Sequence, residues 1–283
     1  MKRAYLSLIL ATLMGCETVP QQHLASLAPP PSPLAQQKAR KNSVPVIHVF
    51  VALCDNVNQG IVPVAPSLGN GDDPIRNLYW GAAFGVKTFF SKSKDWQAVT
   101  SSGGSGKSSS VILDRVVFKH REANAFLVAE AYRGLYIRQA IEDFLNASAG
   151  EPGETLNVSV DGKSIELHLG GSASLVAYIG HDGLMDFQLT TWPKRRDEES
   201  RDAIILACAS KSYFSDALRS SGAKPLLWTT NLMAPEAYIL SAAIDGWLSS
   251  ESDEQVRARA ARAYDKYQHC GMKSANALFA TGW

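Results

Sequence analysis

The chain has 283 residues, of which 46% are hydrophobic and 19% charged, and its formal net charge is +1. This composition indicates a globular protein of one large or two small domains rather than a disordered chain, and the near-zero charge gives no electrostatic footprint for binding nucleic acid. Four cysteines in this length are too few for a disulfide scaffold.

The N-terminus has the pattern of an export signal. Lys2 and Arg3 precede an apolar stretch, Leu6 to Met14, that is too short to span a bilayer. The stretch ends in Leu13-Met14-Gly15-Cys16, which resembles the bacterial lipobox. The resemblance implies removal of residues 1–15, lipidation of Cys16 and a membrane anchor. The absence of Asp after the cysteine favours the outer membrane. An ordinary signal peptide or a cytosolic chain with an apolar start are the alternatives.

Residues 16–44 predict a flexible tether, because prolines, glutamines and basic residues occur there without an apolar period. We expect a single domain over residues 45–283. Export makes disulfides accessible to the cysteines left in the mature chain, Cys54, Cys208 and Cys270. Because their number is odd, at least one is free or pairs between chains.

The first half of the domain predicts strands and helices in alternation. Val46–Leu53 predicts a strand buried on both faces, and a long loop from Val57 to about Arg76 follows it. Further on we expect a helix over 75–91, a loop over 101–110, a strand over 110–119 and a helix over 123–147. Gly106-Lys107-Ser108 in that loop lacks the glycine, strand and helix of a phosphate-binding loop.

The second half continues the alternation. Residues 155–160 and 164–169 alternate around Asp161-Gly162, which predicts a β-hairpin. The remaining expectations are strands over 175–179, from 203 to Cys208, and over 225–228, and helices over 213–220, 235–249, 253–269 and 275–279. This order predicts an α/β fold of three layers: a mainly parallel sheet flanked by helices, with a β-hairpin insertion and a helical C-terminus.

Four predicted strands end in polar or reactive residues. The ends are Cys54-Asp55-Asn56, Gly180-His181-Asp182, Cys208-Ala209-Ser210 and Thr229-Thr230-Asn231. The carboxyl ends of parallel strands line the functional crevice of an open sheet, so these residues should converge. A cysteine nucleophile needs a base, a group that orients the base and amide donors for the oxyanion. We predict Cys208 as nucleophile, His181 as base, Asp55, Asn56 or Asp182 as orienting group, and backbone N–H groups near Gly180 or Cys208 as oxyanion donors.

A strand ending in histidine and glycine, followed by a strand ending in alanine and cysteine, resembles the caspase, legumain and gingipain cysteine peptidases over residues 46–231. The resemblance implies a caspase-like fold and a peptide or protein substrate, with His181 as base, Cys208 as nucleophile and Asn56 in the place of the orienting asparagine of legumain-like members. It implies no cofactor. The chain departs from the pattern at Asp182, which separates His181 from Gly183, and in the short separation of 27 residues between His181 and Cys208.

Several interpretations stay open at these positions. Gly180, Asp182, Ser210 and Thr230 are candidates for substrate binding. Cys208 also fits a buried structural thiol or a disulfide with Cys54 or Cys270. His181, Asp182 and Asp186 have ligand chemistry, but no spaced histidine or cysteine cluster supports a metal site. A non-catalytic lipoprotein of the same fold, binding a peptide or an envelope component in the crevice, is the alternative to a hydrolase.

Overall fold

A computed structural model describes residues 44–102 and 110–283. Lipidation of Cys16, the signal peptide, all but the last residue of the tether and Gly106-Lys107-Ser108 therefore lie outside the described residues. Within them, no helix combines the length and apolarity needed to cross a membrane.

The described strands form an eight-stranded sheet and a three-stranded sheet. The strands are β1 (Val46–Ala52), β2 (Trp96–Ala98), β3 (Ser101–Ser102), β4 (Ile112–His120), β5 (Phe126–Tyr132), β6 (Pro152–Val160), β7 (Lys163–Gly170), β8 (Leu175–Ile179), β9 (Asp202–Leu206), β10 (Lys224–Thr229) and β11 (Phe279–Ala280). The large sheet has the order β11-β10-β9-β8-β1-β5-β4-β2, and the small sheet has the order β3-β6-β7.

The five central strands of the large sheet, β10-β9-β8-β1-β5, are parallel, whereas β11, β4 and β2 pair antiparallel at its two edges. After β1 the chain crosses to the edge strand β2, returns through β4 to β5 beside β1, and later builds β8, β9 and β10 on the other side of β1. The order therefore reverses between β1 and β8, which is the position where open α/β sheets form their crevice.

Helices cover both faces of the large sheet. They are α1 (Val86–Ser91), α2 (Ile137–Ser148), α3 (Ser210–Ser221), α4 (Ala237–Leu248), α5 (Asp253–Gln268) and α6 (Met272–Leu278). One core lies between the sheet and α1, α4, α5 and α6, and the second lies between the sheet, α2, α3 and the β6–β7 hairpin. The protein is thus an α/β fold with a mainly parallel sheet between helical layers, as the sequence predicts.

Alternation within β1 explains why both cores form. Ile47, Val49 and Val51 enter the first core, whereas Val46 and Phe50 enter the second. Every residue of β1 is buried. A strand that is covered on both faces has a nearly continuous apolar sequence, and this pattern is the one that predicts β1.

Several boundaries agree with the predictions. The hairpin β6–β7 turns at Asp161 and Gly162, both of which have positive φ, as a two-residue type I′ turn requires. Gly222 ends α3 in the left-handed conformation, with φ of 78°. Ser252 and Gln255 form a reciprocal capping box at the start of α5.

The helix predicted over residues 123–147 is wrong in its first half. Phe126–Tyr132 is the strand β5, buried along its whole length and paired with β1, and the helix α2 begins only at Ile137. A short run of apolar residues that is buried on all sides fits both the helical and the strand period, so periodicity alone cannot separate the two.

The helix predicted over residues 75–91 is also shorter than expected, because turns occupy the chain up to Gly85 and α1 covers only Val86–Ser91. Asn77 explains the turns. Its side-chain amide accepts a hydrogen bond from Cys54 N (3.0 Å) and donates one to Cys54 O (2.8 Å). This fully buried side chain satisfies the backbone beyond the end of β1 and fixes the loop against it.

Candidate active site

The sheet places His181 and Cys208 at equivalent positions on neighbouring strand ends. Ile179 of β8 pairs with Leu206 of β9, and each candidate residue lies two positions beyond that pair. Neighbouring strands run about 4.8 Å apart. His181 and Cys208, although 27 residues apart in sequence, therefore follow adjacent strands. The strand order reverses between β1 and β8, next to the end of β8.

His181 is held by Asp186. The imidazole is buried, and its Nε2 lies 2.7 Å from Asp186 Oδ2. The same carboxylate oxygen accepts a hydrogen bond from Gly60 N at 3.0 Å. The Tyr178 hydroxyl donates to the His181 carbonyl at 2.8 Å, which fixes the backbone of the histidine. Asp186 is thus the group that orients the imidazole, whereas the sequence predicts Asp55, Asn56 or Asp182 for this position.

A tight turn brings Asp186 back to the histidine. Asp182 Oδ1 accepts a hydrogen bond from Leu184 N and starts a 3₁₀ turn over Gly183–Met185. The turn passes so close to Phe187 that a Cβ on Gly183 would lie 2.7 Å from its ring. The five-residue interval between His181 and Asp186 therefore lets the chain reverse once and return the carboxylate to the imidazole. Composition and spacing alone do not predict this turn.

Cys208 is half-buried, and its thiol is occupied by the backbone of Met233. Its Sγ lies 3.6 Å from Met233 O and 3.4 Å from Met233 N. Burial raises the pKa of the Cys208 thiol, the backbone of Met233 lowers it, and the negative charge of Asp182 raises it again, so that the net shift is upward. The resting form of Cys208 is therefore the neutral thiol at neutral pH.

The backbone after Cys208 is sharply bent. Ala209 has a φ of 46°, in the left-handed region that non-glycine residues rarely enter, and α3 begins at the next residue. Strain of this kind is common at functional sites. The bend also leaves Cys208 just before the N-terminus of a helix of 12 residues, whose dipole favours a thiolate.

Asp55 and Asn56 do not contact the histidine through the hydrogen bonds of their side chains. Asp55 Oδ1 accepts from Val57 N at 2.9 Å, and the Asn56 amide pairs with both backbone groups of Val64. These bonds shape the long loop after β1, whose Gly60 then reaches Asp186. Contrary to the sequence prediction, Asp55 and Asn56 therefore do not orient His181 directly. They shape the loop whose Gly60 amide binds Asp186, and Asp186 contacts the histidine.

The four residues predicted to bind substrate are mostly engaged elsewhere. Ser210 is fully buried, and its Oγ donates to Ile205 O at 2.9 Å. Thr230 Oγ1 donates to Ala277 O at 2.7 Å, and Gly180 N donates to Leu206 O at 3.3 Å. The Gly180 amide is thus occupied, and the other backbone N–H groups near Gly180 and Cys208 stay the predicted oxyanion donors.

Asp182, the fourth predicted substrate-binding residue, is fully buried. Its Oδ2 has no hydrogen-bond partner within the described part of the chain. Burial is the main reason that its pKa is raised to about 7, with a further rise from the charge of Asp186. A carboxyl group with no exposed surface cannot contact a substrate in this conformation, so its contribution is to cap the turn that positions Asp186.

The cysteines Cys54, Cys208 and Cys270 are all free thiols. The predicted alternative of a disulfide at Cys208 is therefore not what the structure has. Burial raises the pKa of Cys54 to about 11, although a hydrogen bond with the Tyr79 side chain lowers it. Cys270, in contrast, is exposed and serves as a natural reference thiol.

Among the described residues, no group of three or more histidine, cysteine or acidic side chains is arranged to hold a metal ion. Comparison of the chain with protein-family models, with curated proteins and with solved structures gave no match.

Proposed function

We propose that this protein is a cysteine peptidase of caspase-like fold, anchored by lipid to the bacterial cell envelope, with Cys208 as nucleophile and His181 as base. The single observation that carries the proposal is the register of β8 and β9, in which each of the two residues follows two positions after the pair of Ile179 and Leu206 at the carboxyl edge of the sheet. The order of the parallel strands, with the histidine after the third and the cysteine after the fourth in the chain, supports it.

The histidine is prepared for proton transfer. With Nε2–H donating to Asp186, the neutral imidazole carries its lone pair on Nδ1. In the reaction Nδ1 takes the Cys208 proton as Sγ attacks the carbonyl carbon of the peptide bond. The Cys208 amide stabilises the oxyanion. The C–N bond breaks as the imidazolium returns its proton to the leaving amine, and water then hydrolyses the thioester.

The thiol must first leave Met233. Both backbone groups of Met233 hydrogen-bond Cys208 Sγ in the structure. Binding of a substrate in the crevice provides the contacts that replace them, so that reactivity depends on the substrate. A lipid anchor at Cys16, joined to the domain by the tether, would hold the domain at the outer membrane. The available substrates there are proteins and peptides of the envelope.

Cleavage of a diverse peptide pool by the full chain, followed by mass spectrometry of the new termini, tests the proposal. Cys208→Ala should abolish cleavage, because no other group replaces the nucleophile, whereas Cys270→Ala should leave it unchanged. Cleavage that persists in Cys208→Ala contradicts the proposal, and so does a wild-type chain that neither cleaves peptides nor becomes covalently labelled at Cys208 by peptidyl electrophiles.

A second function is favoured by one observation. The raised pKa of Cys208 and its two bonds to Met233 are the properties of a structural thiol. In that case the protein is a non-catalytic envelope lipoprotein that binds a peptide or an envelope component in the same crevice. Saturable peptide binding that is equal in the wild type and in Cys208→Ala, without cleavage, is the result that distinguishes it.

A further inference from the structure

A second candidate site lies on the side of the sheet that packs against α2. A cavity of about 280 Å³ opens there between the sheet, α2 and the start of the β6–β7 hairpin. Its lining includes His48 and Phe50 of β1, Glu130 and Tyr132 of β5, and Asp143 and Asn146 of α2. None of these belongs to the crevice of Cys208.

The walls of the cavity are acidic. Its lining holds four carboxylates and no lysine or arginine among the described residues. Three of the four have an arginine partner from outside the lining: Arg115 is shared by Glu130 and Glu154. Glu151 pairs with Arg196 at 2.7 Å.

Asp143 is the lining carboxylate that forms no salt bridge with any lysine or arginine of the described residues. Its hydrogen bonds come from the neutral Tyr132 hydroxyl at 2.9 Å and from Gln139 Nε2 at 2.7 Å. Burial raises the pKa of Asp143, these two bonds lower it, and the nearby charge of Glu130 raises it further, for a net upward shift. The negative charge of Asp143 therefore has no salt-bridge partner among the described residues, and a bound cation would supply one.

The charged network behind the cavity is costly. His48 and Glu130 are 4% and 3% exposed, and His48 Nε2 lies 3.1 Å from Glu130 Oε2 while Nδ1 accepts from Gly170 N. Glu130 also forms a buried ion pair with Arg115, and well-packed apolar residues usually stabilise a core at least as well as such a pair. Perturbed ionisable groups that line a cavity are, in contrast, typical of binding sites.

Aromatic rings supply the rest of the wall. Phe50 and Tyr132 both line the cavity, with ring centroids 6.2 Å apart. The faces of aromatic rings attract ammonium groups. Asn146 adds an amide at the same wall.

We propose that this cavity binds a small organic cation, with a primary ammonium group paired to Asp143 and its carbon chain against Phe50 and Tyr132. The volume is at the lower end of ligand pockets and suits a molecule the size of a diamine rather than a peptide. The proposal does not depend on the peptidase activity, because it uses a separate set of residues.

Isothermal titration calorimetry of the full chain with putrescine and with n-butylammonium tests the proposal, with n-butyrate and glucose as comparison probes. The ammonium compounds should bind saturably at pH 7.5 and butyrate should not. Asp143→Asn keeps the size of the side chain and should weaken binding at least tenfold. Glu142→Gln, a change at the neighbouring position of α2 outside the lining, should leave binding unchanged.

Phe50→Leu provides a second variant if Asp143→Asn fails to fold, and it should weaken binding several-fold through loss of the ring. Acidification of the wild type should also weaken ammonium binding, because protonation removes the charge of Asp143. The proposal is overturned if neither ammonium compound binds at millimolar concentration, if Asp143→Asn binds as tightly as the wild type, or if glucose saturates the cavity in their place.

Discussion

Two buried histidines, each bonded to a carboxylate, occupy different regions of the molecule. In the crevice, His181 Nε2 lies 2.7 Å from Asp186, and Nδ1 has no partner within the described residues. In the acidic cavity, His48 uses both ring nitrogens, one toward Glu130 and one toward the Gly170 amide. A histidine with both nitrogens committed is fixed in one tautomer and cannot transfer a proton without breaking a bond.

The carboxylates differ as well. Glu130 is buried in β5, whereas the Asp186 side chain is 37% exposed on the turn after β8. The pair of His48 is built into the sheet, and the pair of His181 is carried by loops that hydrogen-bond each other. Proximity of a histidine and an acid therefore does not by itself identify a catalytic base. His181 differs from His48 in two respects: its Nδ1 has no partner among the described residues, and a cysteine follows the neighbouring strand.

The largest effect is expected where the network of His48 is broken. Glu130→Leu leaves Arg115 and His48 buried with their shared acceptor removed, which should reduce the free energy of unfolding by about 3–5 kcal/mol. Chemical denaturation measures this change. Glu154→Gln is the control: this partner of Arg115 is 42% exposed, and its loss should cost at most about 1 kcal/mol. Equal effects of the two substitutions would mean that the buried network does not differ from a surface pair.

A smaller effect is expected in the crevice, where Asp182 links stability to pH. Its pKa is raised to about 7 in the folded chain, whereas an unfolded aspartate titrates at about 3.9. The folded state then holds more protons than the unfolded state in this window, so the contribution of Asp182 to stability falls as the pH rises toward 7. Asp182→Asn retains the Oδ1 acceptor for Leu184 N.

Thermal unfolding between pH 5 and pH 8 tests this linkage. The melting temperature of the wild type should decrease across the range, and the decrease should be smaller in Asp182→Asn. Asp216→Asn, on the exposed side of α3, should follow the wild type. A decrease that is the same in Asp182→Asn and the wild type would show that the buried carboxyl is not the group that titrates.

The sequence predicts which strand ends line the crevice better than it predicts the side-chain contacts within the crevice. The strands before Cys54, His181 and Cys208 are apolar runs with polar ends, and parallel topology brings such ends together. The contacts of Asp186 with His181 and of Asn77 with Cys54 are not predicted, because they come from turns that reverse the chain onto a strand end. The cavity also had no signal, since His48 lies inside an apolar strand where a packing role is the simplest interpretation.

Cooperation of His181 with Cys208 is measured most directly by the rate at which a peptidyl acyloxymethyl ketone labels Cys208. The experiment uses chains with Cys270→Ser, so that the exposed thiol does not contribute. General-base assistance is worth about 10²–10⁴ in rate. His181→Asn should therefore slow labelling by at least about a hundredfold at pH 7. Labelling of the wild type and His181→Asn at the same rate would contradict the proposed pair.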